Sequence, residues 1–128
     1  MANLRASLNE IMEIEGAVGA AIVDYDSGVT LGGKGGDTID MELAGAANTH
    51  ATLLIQELLH DNDLDEPIED VLVTLGEQYH LTRFSEKHDT IFTYVILDRA
   101  AATLALARRQ LVQIEANLTL GDGDEETI

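Results

Sequence analysis

The sequence predicts an α/β fold of three layers, a five-stranded and mainly antiparallel sheet with helices on its faces, in the order α-β-β-α-β-β-β-α. Three observations carry this expectation. Residues 90–97 (TIFTYVIL) are β-branched and aromatic throughout, the composition of a buried strand. After them Leu104, Ala107, Leu111, Ile114 and Leu118 recur at steps of three and four, one face of a helix. Short turns separate the remaining strand-like runs, so hairpins dominate and the helices must cover the sheet.

The elements follow in order. Residues 3–14 form a first helix with Leu4, Leu8 and Ile11 on one face, closed by Gly16. Residues 17–25 (AVGAAIVDY) are nearly all small and apolar, as in a strand covered on both sides. Asp26, Ser27 and Gly28 make a turn, residues 29–31 a short return strand, and residues 32–36 (GGKGG) a flexible loop. Asp40 is placed to cap a long second helix that runs to about Asp61. An acidic loop spans residues 61–67. The third strand covers 68–75 (IEDVLVTL), the fourth 78–85 across a turn at Gly76 and Glu77, and the fifth 90–97. Asp98 ends that strand and is expected to cap the third helix. Residues 1–120 read as one domain, and residues 121–128, with four acids, as a disordered tail.

At 128 residues the chain is long enough for one core, burying about two-thirds of its unfolded surface. It has no cysteine, which excludes disulfides and thiolate chemistry and agrees with a reducing, cytoplasmic setting. The first residues read as an amphipathic helix rather than a signal peptide, and no apolar run is long enough to insert into a membrane. Seven basic residues stand against 24 acidic ones, a net charge of −17. Such a surface repels phosphate backbones, which argues against nucleic-acid binding. Ordinary acidity and adaptation to high salt are both compatible with it.

The second helix has more apolar surface than one sheet requires. Leu43, Leu54, Ala47, Leu58, Ala51, Ala44, Ile55 and Leu59 fill an arc of roughly 160° broken by Asn48, where about 100° suffices. The excess is expected to meet a second helix, such as its own counterpart in a homodimer; loops or the first helix are the other possible cover. Val71, Leu72, Val73, Thr74 and Leu75 carry no charge and no proline, so this strand is expected to be internal or paired across an interface. A proline at Val73 should then yield monomer.

No motif reads as catalytic. Residues 28–35 match the pattern GxxxxGK of a phosphate-binding loop and then fail, because Gly35 stands where a magnesium-binding Ser or Thr belongs. Residues 61–72 start like a calcium loop, but Glu66 replaces the glycine and Leu72 the closing glutamate. His50, His60, His80 and His88 are scattered without metal-ligand spacing. Ser7, Ser27 and Ser85 lack a nucleophile context. Arg108 and Arg109 fit salt bridges better than a phosphoryl-stabilising finger. No cofactor, no metal and no enzymatic activity are expected.

Three segments together carry a resemblance: residues 14–32 (IEGAVGAAIVDYDSGVTLG), 68–84 (IEDVLVTLGEQYHLTRF) and 92–111 (FTYVILDRAAATLALARRQL). In order and spacing they resemble the roadblock/dynein light chain family in its bacterial branch, over residues 4–118. The resemblance implies a profilin-like sandwich and a homodimer in which the second helix and third strand meet their counterparts. It places the seam at Ala44, Ala47, Asn48, Ala51, Ile55 and Leu59 of the helix and at Val71, Leu72, Val73 and Thr74 of the strand. It also implies a non-enzymatic regulator or adaptor of a small Ras-like GTPase, which repositions the GTPase's own residues rather than inserting an arginine. The alternative is a structural adaptor for a kinase or motor complex without direct GTPase contact.

Overall fold

The computed structural model describes residues 2–36 and 39–120; the tail expected at 121–128 lies outside them. The elements come in the expected order: α1 (Leu4–Met12), β1 (Ala17–Asp24), β2 (Val29–Gly35), α2 (Met41–Asp61), β3 (Asp70–Thr74), β4 (Gln78–Phe84), β5 (Ile91–Asp98) and α3 (Leu104–Asn117). The strands form one sheet in the order β2-β1-β5-β4-β3, antiparallel at every pairing. β1 and β5 are central and covered on both faces, which is why both are continuous apolar runs. β2 and β3 are the two edges.

The faces carry separate cores. On one, Leu4, Leu8 and Ile11 of α1 and Ala107 and Leu111 of α3 pack on Ala20, Ile22, Leu81, Val95 and Leu97. On the other, Met41 of α2 joins Ala21, Val23, Phe84, Phe92, Tyr94 and Ile96. α1 starts sharply because the Asn3 carboxamide oxygen accepts from the Ala6 N–H at 2.9 Å. Ala2 and Leu118 form a lone parallel bridge that ties the start of α1 to the end of α3.

Three local expectations are corrected. Residues 32–35 are not a loop: β2 continues through them to Gly35, with a register irregularity beside Leu31. The glycines are strand residues because α2 lies against this edge; a Cβ on Gly33 would stand 3.0 Å from the Met41 Cβ. Asp98 does not cap α3. It closes β5, and its carbonyl accepts from the Ala101 and Ala102 N–H groups in a turn that delays the helix to a Thr103 cap with no side-chain bond. β3 begins at Asp70 rather than residue 68.

Asp40 caps α2 as its sequence suggests, accepting from Glu42 N at 2.9 Å and Leu43 N at 3.3 Å. The face that α2 turns to the sheet is small and polar rather than leucine-rich: Met41, Gly45, Thr49 and Thr52. Gly45 sits against Thr30 and Val23, and any larger side chain there would lift the helix off β1 and β2. Thr49 and Thr52 return their hydroxyls to the carbonyls of Gly45 and Asn48, at 2.8 and 2.7 Å, so their burial leaves no donor unpaired.

Candidate self-association surface

With its small side against the sheet, α2 presents its large apolar side to solvent. Leu43 is 68% exposed, Leu58 61% and Leu54 54%, with Ala47, His50 and Ala51 exposed between them. These residues recur at helical spacing and make one stripe along the helix. A stripe of this kind on a surface rich in carboxylates is more than ordinary surface scatter.

On the same face of the sheet, Val71 of the edge strand β3 packs on the core that Met41 of α2 joins, and its β4 partner Thr82 donates to Asn48 of α2. Leu75 N–H donates to the Gln78 carbonyl at 2.8 Å and Phe84 N–H to the Glu69 carbonyl at 3.0 Å. Hydrogen-bonded pairs alternate along an antiparallel ladder, so Val73 with His80 and Val71 with Thr82 are also bonded pairs. The backbone groups of Asp70, Leu72 and Thr74 therefore point outward. This corrects the sequence-based expectation for a proline at Val73: that N–H serves β4, and its loss would break the β3–β4 hairpin before it touched any seam.

Only part of the seam expected from the sequence is open. Ala47 and Ala51 on α2 and Val73 and Thr74 on β3 are exposed. Ala44, Asn48, Ile55 and Leu59 are half-buried, as are Val71 and Leu72. Asn48 faces its own sheet: its Nδ2 donates to the Ala44 carbonyl at 2.8 Å, and its Oδ1 accepts from the Thr82 hydroxyl at 3.3 Å. Val71 packs toward the core beneath α2, and Leu72 toward the opposite core. Leu43, His50, Leu54 and Leu58 complete the open stripe. The signal for them lay in Gly45, Thr49 and Thr52, whose small side chains at steps of four and three mark the side of close approach.

The edge is held rigidly. Arg108 of α3 reaches Asp70 with two bonds, Nε to Oδ2 at 3.0 Å and Nη2 to Oδ1 at 3.1 Å, and Arg83 Nη1 adds a third at 3.1 Å. Arg99 donates to the Leu75 carbonyl at 2.7 Å and lies over the Tyr79 ring. A polar group lies on the sheet under the stripe. His80 Nδ1 and the Tyr94 hydroxyl are 2.7 Å apart, and His80 Nε2 and Gln78 Oε1 2.9 Å. Burial lowers the His80 pKa from its ordinary value and raises that of Tyr94, where Asn48 offsets part of the effect.

Among the described residues no group of three or more His, Asp or Glu side chains is placed to hold a metal ion. The GxxxxGK segment lies within the β1–β2 hairpin and strand β2, with no helix starting at Lys34, whose ammonium donates to Asn9. No helix among the described residues is long and apolar enough to cross a membrane.

No sequence-family model and no curated protein matches the chain. Solved structures do. A Roadblock/LC7 domain from Streptomyces avermitilis superposes with a TM-score of 0.76 at 13% identity, covering 90% of this chain and 93% of that one. MglB from Myxococcus xanthus gives 0.75 at 14% identity, with 87% of each chain covered. A structure described as MglB with tetrameric arrangement gives 0.63 at 15% identity, over 86% of this chain and 85% of that one. The fold of this chain is the roadblock fold.

Proposed function

We propose that this roadblock-fold chain is a non-enzymatic, cytoplasmic regulator or adaptor of a small Ras-like GTPase, and that it works as a homodimer. The observation that carries the reading is the open α2 stripe of Leu43, Leu54 and Leu58, on a sheet whose β3 edge is unpaired among the described residues. A two-fold pairing satisfies both features with one symmetry operation: the edges extend one sheet into the other, and the stripes cover each other. The tetrameric arrangement described for one structural neighbour supports self-association through this fold.

The composite surface, rather than a catalytic residue, does the work. Two protomers form a platform that favours one GTPase conformation over another by binding them unequally. Three of the arginines fit this reading. Arg83 and Arg108 are committed to Asp70 and Arg99 to Leu75, so they brace the platform rather than reach toward a phosphate.

The experiment is capture of a GTPase from native lysate on immobilised chain, loaded with GDP or with a non-hydrolysable GTP analogue. Recovery of a small GTPase in one nucleotide state is the expected result. Recovery of a kinase or motor subunit alone would replace the reading with that of a structural adaptor.

A further inference from the structure

Two of the four histidines lie on the proposed face, His50 exposed among apolar neighbours and His80 half-buried beside uncharged groups. His50 is in the middle of the α2 stripe: Leu43 and Leu58 end the stripe, and its midpoint falls between His50 and Ala51. Its neighbours one turn away on the helix are Ala46, Ala47, Leu53 and Leu54, all apolar. The nearest charged residue on that side of the helix is Glu57, two turns on, and among the described residues none covers the exposed imidazole. His80 stands on β4 opposite Val73 of the free edge. The groups that face it are Gln78 on its own strand, Val73 on β3 and Tyr94 on β5, which Asn48 of α2 approaches in turn, and none carries charge.

We propose that self-association through this face is gated by protons at His50 and His80, with the dimer favoured while both are neutral and loosened as they become charged. The inference rests on the dimer reading above. In an isologous pairing each α2 stripe crosses its copy near the midpoint, so two His50 rings approach one another at the symmetry axis. Sheet extension across β3, with the copy's α2 laid over the joint, removes water from the strip that holds His80. Charging either group then costs more in the dimer than in the free protomer.

The sign follows from linkage. Burial already lowers the His80 pKa in the protomer, and further covering lowers it again. The dimer therefore binds fewer protons than two free protomers, and association weakens as pH falls through the histidine range. The limit is about tenfold per pH unit per histidine. General electrostatics runs the other way: at a net charge of −17, added protons reduce repulsion between copies and tighten association. Loosening on mild acidification is thus specific to the seam.

The test is sedimentation velocity on the full chain over a concentration series at about pH 7.8 and about pH 6.0, where solvent-exposed carboxylates stay ionised. The wild type is compared with the His50→Gln/His80→Gln double variant and with His50→Gln alone, an exposed substitution that leaves the sheet untouched. The wild-type Kd is expected to weaken at least tenfold at the lower pH, the single variant less, and the double variant by less than about twofold. A dimer whose affinity is unchanged or tighter at the lower pH overturns the gate and leaves the dimer standing. Equal weakening of wild type and double variant overturns the assignment to these histidines. Monomer at both values overturns the dimer reading and the gate with it.

Discussion

Leu54→Ala separates the two jobs an apolar helix face can have. In the protomer the Leu54 side chain is 54% exposed and lies on the side of α2 away from the sheet. Truncating it should therefore leave protomer stability within about 0.5 kcal/mol, the range for surface substitutions. The dimer should respond quite differently. Full burial of a leucine side chain is worth about 1.5–3 kcal/mol, and roughly half of this one remains to be buried on association. Each copy then contributes about 1 kcal/mol at the seam, and a two-fold interface contains two copies, for a total near about 2 kcal/mol. That corresponds to a dimer Kd weakened by about 30-fold. Equilibrium sedimentation measures the constant, and circular dichroism and thermal melting verify the fold. Two results would refute the reasoning: a Kd within about twofold of wild type, which places the interface elsewhere, or a melting loss of several kcal/mol, which places Leu54 in the protomer core.

Other consequences are as specific. Thr74→Pro removes an N–H that points outward from β3, so it should abolish or strongly weaken the dimer while the melting temperature of the protomer changes little. Val73→Pro removes an N–H that serves β4 and should lower stability by about 3 kcal/mol or more, visible as loss of cooperative melting. Glu115→Gln tests the buried carboxyl on α3, whose pKa is raised chiefly by burial, with the Glu86 N–H at 3.0 Å offsetting part of the effect. The charged form is the costly one, so the neutral variant should melt a few degrees higher above the raised pKa. That advantage should fade as pH falls through it and vanish below the ordinary glutamate value of 4.5, in melts run from pH 7 to pH 4.

Much of this architecture is legible in the sequence because local and global preferences agree. β5 is legible because a central strand is buried on both faces, and residues 91–97 are all buried here. α2 is legible from Asp40, an N-cap residue followed by the 21 residues of the helix without proline. Less legible is which way α2 faces. A helical wheel finds the apolar arc but not its partner, and this helix reverses the usual assignment. The side of closest approach uses Gly45, Thr49 and Thr52, which a hydropathy count discards, while the leucines face outward. The half-buried positions Asn48, Ile55 and Leu59 fall on the shoulder between the two sides. The β2 glycines mislead for a related reason. Glycine ordinarily marks a loop, but Gly33 is needed where the start of α2 presses on an edge strand. The delayed start of α3 depends on a turn closed by backbone bonds at Asp98, and backbone bonds leave little trace in side-chain identity.

In the proposed dimer, the exposed leucine stripe and the unpaired strand edge are two halves of one two-fold interface. The mass of the wild-type chain in solution tests it most directly, by sedimentation velocity at tens of micromolar and pH near 7.5. The expected species has twice 13.8 kDa, or a multiple of that dimer, and dissociates on dilution. A single 13.8 kDa species across the whole concentration series would contradict it.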